Sequence, residues 1–282
     1  MKILRTVADV RAWRSGAGRV GFVPTMGALH AGHMSLVERA VRETDAAITS
    51  IFVNPTQFGP NEDFAAYPRR EAEDVAMLEK YGCAVAFVPP VAEIYPPGDA
   101  TRVTPGPIAA PLEGAARPGH FVGVATVVAK LLAIVRPDSA FFGQKDFQQL
   151  RVLQTTARDL RLGADIVGCA TVREPDGLAL SSRNAYLTQE QRRDAVALSR
   201  GLFAARELWD RGERDPRVLR ERVRELAQSG NVALEYMSVA DPLTLAELDA
   251  PAAAAVISLA ARVGRARLID NVLLGMKIEE LA

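Results

Sequence analysis

The chain of 282 residues has no net charge, because 34 Lys and Arg stand against 34 Asp and Glu. That balance argues against a chain-wide surface for nucleic acid or anionic membrane, while leaving room for a local basic pocket. Cysteine is scarce: only Cys83 and Cys169, each in a short apolar stretch and neither in a CxxC pattern. A disulfide framework and a cysteine metal centre are therefore excluded, and both thiols read as reduced core residues. No apolar run reaches about 18 residues, and residues 1–10 carry scattered charges without an apolar centre. Neither a membrane-spanning helix nor a secretory leader is expected, so the expected location is the cytoplasm. Histidine is also rare, with His30, His33 and His120 the full set.

What remains is ordinary globular composition, 49% hydrophobic and 24% charged, at a length suited to one large or two modest domains. Residues 20–23, 46–53, 84–88, 139–142 and 165–170 read as buried strands. Between them, helical periodicity starts at Met34, where Leu36, Val37, Ala40 and Val41 share a face. Further helices are predicted over 68–81, 121–135 and 147–160. Residues 89–120, rich in Pro and Gly, read as a long loop region. Alternating strands and helices predict an α/β fold, a Rossmann-like parallel sheet with crossover helices, in which ligands bind at the carboxyl ends of the strands. After about residue 175 the pattern changes. A capping box, Thr188 with Gln191, opens a helix. A second helix over 218–226 follows, then strands over 234–239, 253–259 and 267–274. The expected organisation is a nucleotide-binding domain over 1–175 and a smaller C-terminal α+β domain over 176–282.

The chemistry concentrates in three turns. Met26-Gly27-Ala28-Leu29-His30-Ala31-Gly32-His33 follows a predicted strand and precedes a helix. A polyphosphate there would meet backbone N–H groups and the positive helix end, with Gly27 and Gly32 allowing close approach. Two imidazoles three residues apart can donate to phosphate oxygens and offset the charge of leaving pyrophosphate. A metal pair is disfavoured for want of a nearby carboxylate ligand, so no metal ligands are assigned. Gly143-Gln144-Lys145-Asp146 follows another strand: glycine permits the turn, Asp146 can cap the next helix, and Lys145 is a point charge for phosphate. Ser181-Ser182-Arg183-Asn184 offers two hydroxyls and a fixed cation; on spacing alone it reads equally as a polar turn. Gln57, after the second long strand, is an uncharged amide able to hold a hydroxyl or carboxylate, or simply to cap its loop. Asn54 is a weaker candidate for the same pocket. His120 can order its loop or line a substrate mouth.

Pro24-Thr25-Met26-Gly27-Ala28-Leu29-His30-Ala31-Gly32-His33 resembles the His-x-Gly-His signature of the nucleotidylyltransferase superfamily, in the form found in the pantothenate synthetase family. Further blocks are similar to that family: Phe52 to Asp63 with Tyr67-Pro68-Arg69, Gly119-His120, Phe142 to Asp146, Gln148-Gln149, Arg173 to Gly177 and Leu180 to Asn184. The resemblance spans roughly residues 20 to 190. It implies ATP-dependent condensation of pantoate with β-alanine through pantoyl adenylate. It implies His30, His33, Lys145 and Arg183 as catalytic groups. ATP would be bound by residues Met26 to His33, Gly143, Gln144, Lys145, Asp146, Val172, Leu180, Ser181, Ser182 and Arg183, and pantoate and β-alanine by Gln57 and Gln149. Ser181 to Arg183 is similar to a mobile adenylating loop, expected at a hinge that lets the second domain close over ATP. The resemblance also implies Mg2+ with the ATP and a homodimer. Leu180 stands where many members have Met, a change of similar volume.

Two other readings compete. A nucleotidylyltransferase with a phosphate acceptor would call for more Arg and Lys than the glutamine pair provides. A non-catalytic nucleotide-binding protein would have little need of Lys145, Arg183 and the histidine pair together. A tRNA-dependent enzyme fits less well, since the neutral chain and short C-terminal part leave little surface for tRNA.

Overall fold

The computed structural model of the chain describes residues 1–60, 62, 64–228 and 230–281; Asn61 and Asp63 of the Phe52 block lie outside the described residues. In chain order the elements are β1 (Lys2–Leu4), α1 (Val7–Ser15), β2 (Val20–Thr25), α2 (Ala31–Glu43), β3 (Ala46–Ile51), α3 (Glu71–Lys80), β4 (Val85–Phe87), α4 (Val91–Ile94), α5 (Glu113–Ala116), α6 (His120–Val135), β5 (Ser139–Gly143), α7 (Phe147–Asp159), β6 (Asp165–Cys169), α8 (Gln189–Asp210), α9 (Pro216–Ala227), β7 (Val232–Ala240), β8 (Ala255–Val263) and β9 (Ala266–Leu274). The chain divides into two compact units, Met1–Gly143 with Gln148–Cys169, and Gln144–Phe147 with Ala170–Leu281.

The first unit is a six-stranded parallel sheet in the order β1-β4-β3-β2-β5-β6. The winding reverses on either side of β2, which lies between β3 and β5; such a reversal opens a crevice at the carboxyl ends of the strands. Helix α2 packs on β2, β3 and β5, burying Met34, Leu36, Val37 and Ala40. Helix α6 buries residues around most of its circumference, among them Phe121, Val124, Val128, Leu131 and Leu132, as an apolar helix must. Phe22, Ile48, Phe87 and Phe141 of the sheet have no exposure above 1%; a side chain so buried contributes about 1.5–3 kcal/mol.

The second unit is an antiparallel sheet, β7-β8-β9, with α8 and α9 packed against it and each other. Its core gathers Leu198, Leu202, Trp209, Leu219, Val223, Ile257 and Leu259. Thr188 and Gln191 form the expected reciprocal cap of α8.

The α/β sheet and the C-terminal α+β unit agree with the sequence reading; β1 and α1 precede the first element that it expects, and the other differences lie at element ends and within the 89–120 stretch. Helix α2 starts at Ala31 rather than Met34, because His30 caps it. Val41 is 37% exposed at the rim of its apolar stripe instead of in the core. Helix α3 starts at Glu71, not Pro68: Glu71, Glu73 and Asp74 supply the acidic first turn that suits a helix N-terminus. The 89–120 stretch contains α4, α5 and a 3-10 turn at Pro107–Ala109. Strand β8 runs on to Val263 through Ala260 and Ala261, where pairing on both edges outweighs the weak strand preference of alanine.

Candidate active site

Strand β2 ends in the turn that leads to α2. Gly27 and Ala28 both take positive φ, 80° and 51°. Alanine pays for that conformation, and a carboxylate holds it there. Asp74, 2% exposed on the first turn of α3, accepts the N–H of Ala28 at 2.9 Å and of Leu29 at 2.8 Å. A side chain at Gly27 would stand 2.9 Å from that carboxylate and 3.0 Å from Ile51. Burial raises the pKa of Asp74 above its ordinary value, and the two backbone bonds oppose this only in part.

The rest of the turn is held by its own side chains. Gly27 donates its N–H to Thr25 Oγ1 at 3.2 Å, Gly32 to His30 Nδ1 at 3.1 Å, and His30 to His33 Nδ1 at 3.3 Å. Backbone N–H groups expected to face a phosphate are thus engaged inside the turn. Both imidazoles accept through Nδ1, so the proton of each neutral ring sits on Nε2. The ring centroids are 4.1 Å apart. The donors this pair can present to an anion are therefore imidazole N–H groups more than main-chain ones. Leu29 is buried in the sheet core, and Ala31 is exposed as the first residue of α2.

Gln57 ends a 3-10 turn, Pro55–Gln57, beyond β3. Its Nε2 donates to Met26 Sδ at 3.1 Å, so the β2 turn and the β3 turn meet. Its Oε1 accepts from Asn54 Nδ2 at 3.0 Å. Asn54 is 1% exposed; Nδ2 also donates to the Gly123 carbonyl at 3.2 Å, and Oδ1 accepts from Tyr95 Oη at 2.8 Å. The turn rests directly on α6: a Cβ on Gly123 would come within 2.3 Å of the Thr56 carbonyl oxygen. Gln149 is half-buried in the first turn of α7. Its neighbour Gln148 is 5% exposed and structural, accepting from the Glu113 N–H at 3.0 Å and donating to the carbonyls of Ile108 at 3.0 Å and Pro111 at 2.8 Å.

In the second unit Lys145 and Ser181 line one recess, with Leu178, Ala179, Asn184 and Asp270. Lys145 belongs to a 3-10 turn, Gln144–Asp146, and its ammonium lies 3.9 Å from Asp146 Oδ1. Ser181 caps the 3-10 turn Ser182–Tyr186, accepting the N–H of Arg183 at 3.3 Å. Leu180 donates its N–H to the Val172 carbonyl at 3.0 Å. The Arg173 to Gly177 block is structural: Arg173 makes a bidentate pair with buried Asp270, at 2.7 and 2.9 Å.

Two contributors carry no local sequence signal. Asp74 braces a turn more than forty residues away from it in the chain. Asn271, 3% exposed on β9, donates through Nδ2 to the carbonyls of Gln144 and Lys145, both at 2.9 Å, and accepts from Gln144 Nε2 at 3.2 Å. Only an acid in a first helical turn and a polar residue in an apolar strand could have pointed to them.

A doubly wound parallel sheet whose central strand opens on a two-histidine helix cap defines an α/β protein built for nucleotide chemistry. The pantoate–β-alanine ligase family profile matches residues 2–273. Pantothenate synthetase of Herpetosiphon aurantiacus is 50% identical over 276 residues, covering 97% of this chain and 100% of its own. That of Chloroflexus aurantiacus is 54% identical over 276 residues, covering 97% and 98%. The crystal structure of pantothenate synthetase from Thermus thermophilus superposes with a TM-score of 0.92 at 47% identity, covering 96% of this chain and 99% of that one. The Francisella tularensis pantoate–β-alanine ligase, complexed with β-γ ATP and β-alanine, has a TM-score of 0.80 at 36% identity, covering 98% and 99%. The chain belongs to the pantoate–β-alanine ligase family.

Proposed function

We propose that this chain condenses (R)-pantoate with β-alanine at the expense of ATP, through a pantoyl-adenylate intermediate. Membership of the family along nearly the whole chain carries this reading. The Francisella relative's complex with a nucleotide and β-alanine supports the substrate assignment. In the first step a pantoate carboxylate oxygen bonds to the α-phosphorus of ATP, and the bond to the β-phosphate oxygen breaks. The nucleophile is already ionised at pH 7, so this step needs charge stabilisation and alignment more than a base. In the second step the amine of β-alanine attacks the acyl carbon, AMP leaves, and the nitrogen loses a proton.

His30 and His33 are the proposed phosphate donors of the first unit, through Nε2, within the ATP segment 26–33. Lys145, Ser181, Ser182 and Arg183, with Gly143, Gln144, Asp146, Val172 and Leu180, are the proposed ATP residues that follow. Gln57 and Gln149 hold pantoate by neutral hydrogen bonds, and Gln57 later meets β-alanine. Magnesium would neutralise phosphate charge. Such an ion is ordinarily carried on phosphate oxygens and water, with few protein ligands. The family reading further implies a cytoplasmic homodimer; among the described residues no helix is long and apolar enough to cross a membrane. The test is pyrophosphate release from ATP and pantoate alone. Release before β-alanine is added is expected; release only after its addition would overturn the proposed order.

A further inference from the structure

Gln57 is gripped through its side chain by Asn54 and through its main chain by a second set of residues. His120, the first residue of α6 and 8% exposed, places Nδ1 2.9 Å from the Gln57 carbonyl oxygen. A carbonyl can only accept, so Nδ1 carries the proton. Nε2 lies 3.0 Å from Arg117 Nη1, and a guanidinium can only donate. One state satisfies both contacts: the neutral ring with its proton on Nδ1. This is the opposite tautomer to that of His30 and His33.

Arg117 is itself fixed. Its Nε and Nη2 donate to the two carboxylate oxygens of Glu62, each at 2.7 Å, and Glu113 lies 3.8 Å from Nη1. This fork leaves Nη1 directed at the imidazole. Glu62 belongs to the segment after Gln57 in which Phe58 packs edge-on against Phe64 and Tyr67. The chain of contacts therefore runs from that segment through Arg117 and His120 back to Gln57. The open approach of Gly123 to Thr56 lets the turn sit low enough on α6 for the imidazole to reach it.

We propose that Glu62, Arg117 and His120 form a positioning relay that sets the placement of Gln57 and, through it, affinity for the hydroxy acid; the proposal rests on Gln57 binding pantoate. Among the described residues, the side-chain hydrogen bonds and ion pairs of Glu62, Arg117 and His120 reach Gln57, Glu113 and one another but no proposed nucleotide-binding residue. Gln57 alone meets that segment, through Met26, so loss of the relay is expected to act chiefly on the acid. A purely structural role would lower stability without separating the two substrates.

Steady-state kinetics of the full chain test it, with pantoate varied at saturating ATP and then the reverse. His120→Asn keeps an N–H donor near Nδ1, whereas His120→Gln puts its amide near Nε2 and loses the bond to Gln57. Loss of that bond is expected to raise KM for pantoate about tenfold in His120→Gln, with His120→Asn within about twofold of wild type and KM for ATP steady in both. Equal pantoate KM in the two variants, or ATP KM rising in step, overturns the relay. Should His120→Gln not fold, Arg117→Lys, which removes the fork and keeps the charge, replaces it under the same criterion. Gln57→Ala separates the two ideas. If it leaves pantoate KM at the wild-type value, the acid-binding reading of Gln57 fails. If it raises KM while His120→Gln does not, only the relay fails.

Discussion

His30 donates its backbone N–H to Nδ1 of His33 at 3.3 Å, so the second histidine of the pair caps the helix that the first one opens. The same bond fixes the His33 proton on Nε2, and the cap and the proposed phosphate donor are opposite edges of one ring. These two roles can be separated by substitution. His33→Asn keeps an acceptor near Nδ1 and loses the Nε2 donor. Its melting temperature is expected to stay close to wild type, while pyrophosphate release with pantoate and ATP falls by about 10²–10³-fold, the usual effect of removing one oxyanion donor. Near-normal release in a folded His33→Asn protein would take His33 off the list of phosphate donors.

Gly123→Ala tests the seating of the Gln57 turn from the other side. The new Cβ would stand 2.3 Å from the Thr56 carbonyl oxygen and 2.7 Å from Gln57 Cα, both backbone atoms that cannot swing aside. Overpacking of this kind costs about 1–3 kcal/mol, and relief requires the 55–57 turn to lift from α6. A lower melting temperature and a raised KM for pantoate, with KM for ATP held, are the expected outcomes. Thermal melting and kinetics on the same preparation check them; a variant with wild-type pantoate KM would show that the turn's height does not matter.

The sequence disclosed what is local. Thr188 and Gln191 lie three residues apart, and their cap could be read from spacing. The alternation of apolar runs with helical periods gave the parallel sheet because burial on both faces needs continuous apolar strands. Strand β1 carries no such pattern: its three residues, Lys2 to Leu4, are mostly exposed, and pairing with β4 defines it more than its own composition. The three turns of the candidate site were legible as motifs, but their internal wiring was not. The residues that brace them, Asp74 for Ala28 and Leu29 and Asn271 for Lys145, arrive from distant strands and helices. His120 was visible as a histidine beside a loop, yet its tautomer depends on Gln57 and Arg117 together, which only the folded chain brings within reach.

Acid should weaken the His120 cluster in two stages. Burial, and then the Arg117 charge, hold the His120 pKa below its ordinary 6.5, against smaller opposing effects of the Gln57 carbonyl, Glu62 and Glu113. For Glu62, burial pushes upward, but the Arg117 hydrogen bonds and charge outweigh it and leave the carboxyl below its ordinary 4.5. Both groups are depressed on folding, so the stability each contributes is present above its unfolded value and lost as pH falls through its folded one. The wild-type melting temperature is therefore expected to decline below pH 6.5 and to decline further below 4.5. His120→Asn should flatten the first stage and Glu62→Gln the second, in melting curves recorded across that range. Identical pH profiles for wild type and His120→Asn would mean that the ring titrates as it does in the unfolded chain.

Asn271 gives the last prediction, because its bonds hold the main chain on which Lys145 stands. Nδ2 donates to the carbonyls of Gln144 and Lys145, while Oδ1 accepts from Gln144 Nε2. Truncation to alanine leaves two carbonyls without this donor at a site that is 3% exposed; each such loss costs about 1–3 kcal/mol. Aspartate is the harsher change. It keeps the acceptor for Gln144 but turns a negative oxygen toward the same two carbonyls, with no N–H left to bridge them. Melting temperatures are thus expected in the order wild type, Asn271→Ala, Asn271→Asp. Since Lys145 is a proposed ATP residue and Gln57 belongs to the other unit, KM for ATP should rise in Asn271→Ala while KM for pantoate holds. A variant in which both constants rise equally, or an Asn271→Asp protein as stable as wild type, would remove Asn271 as the support of Lys145.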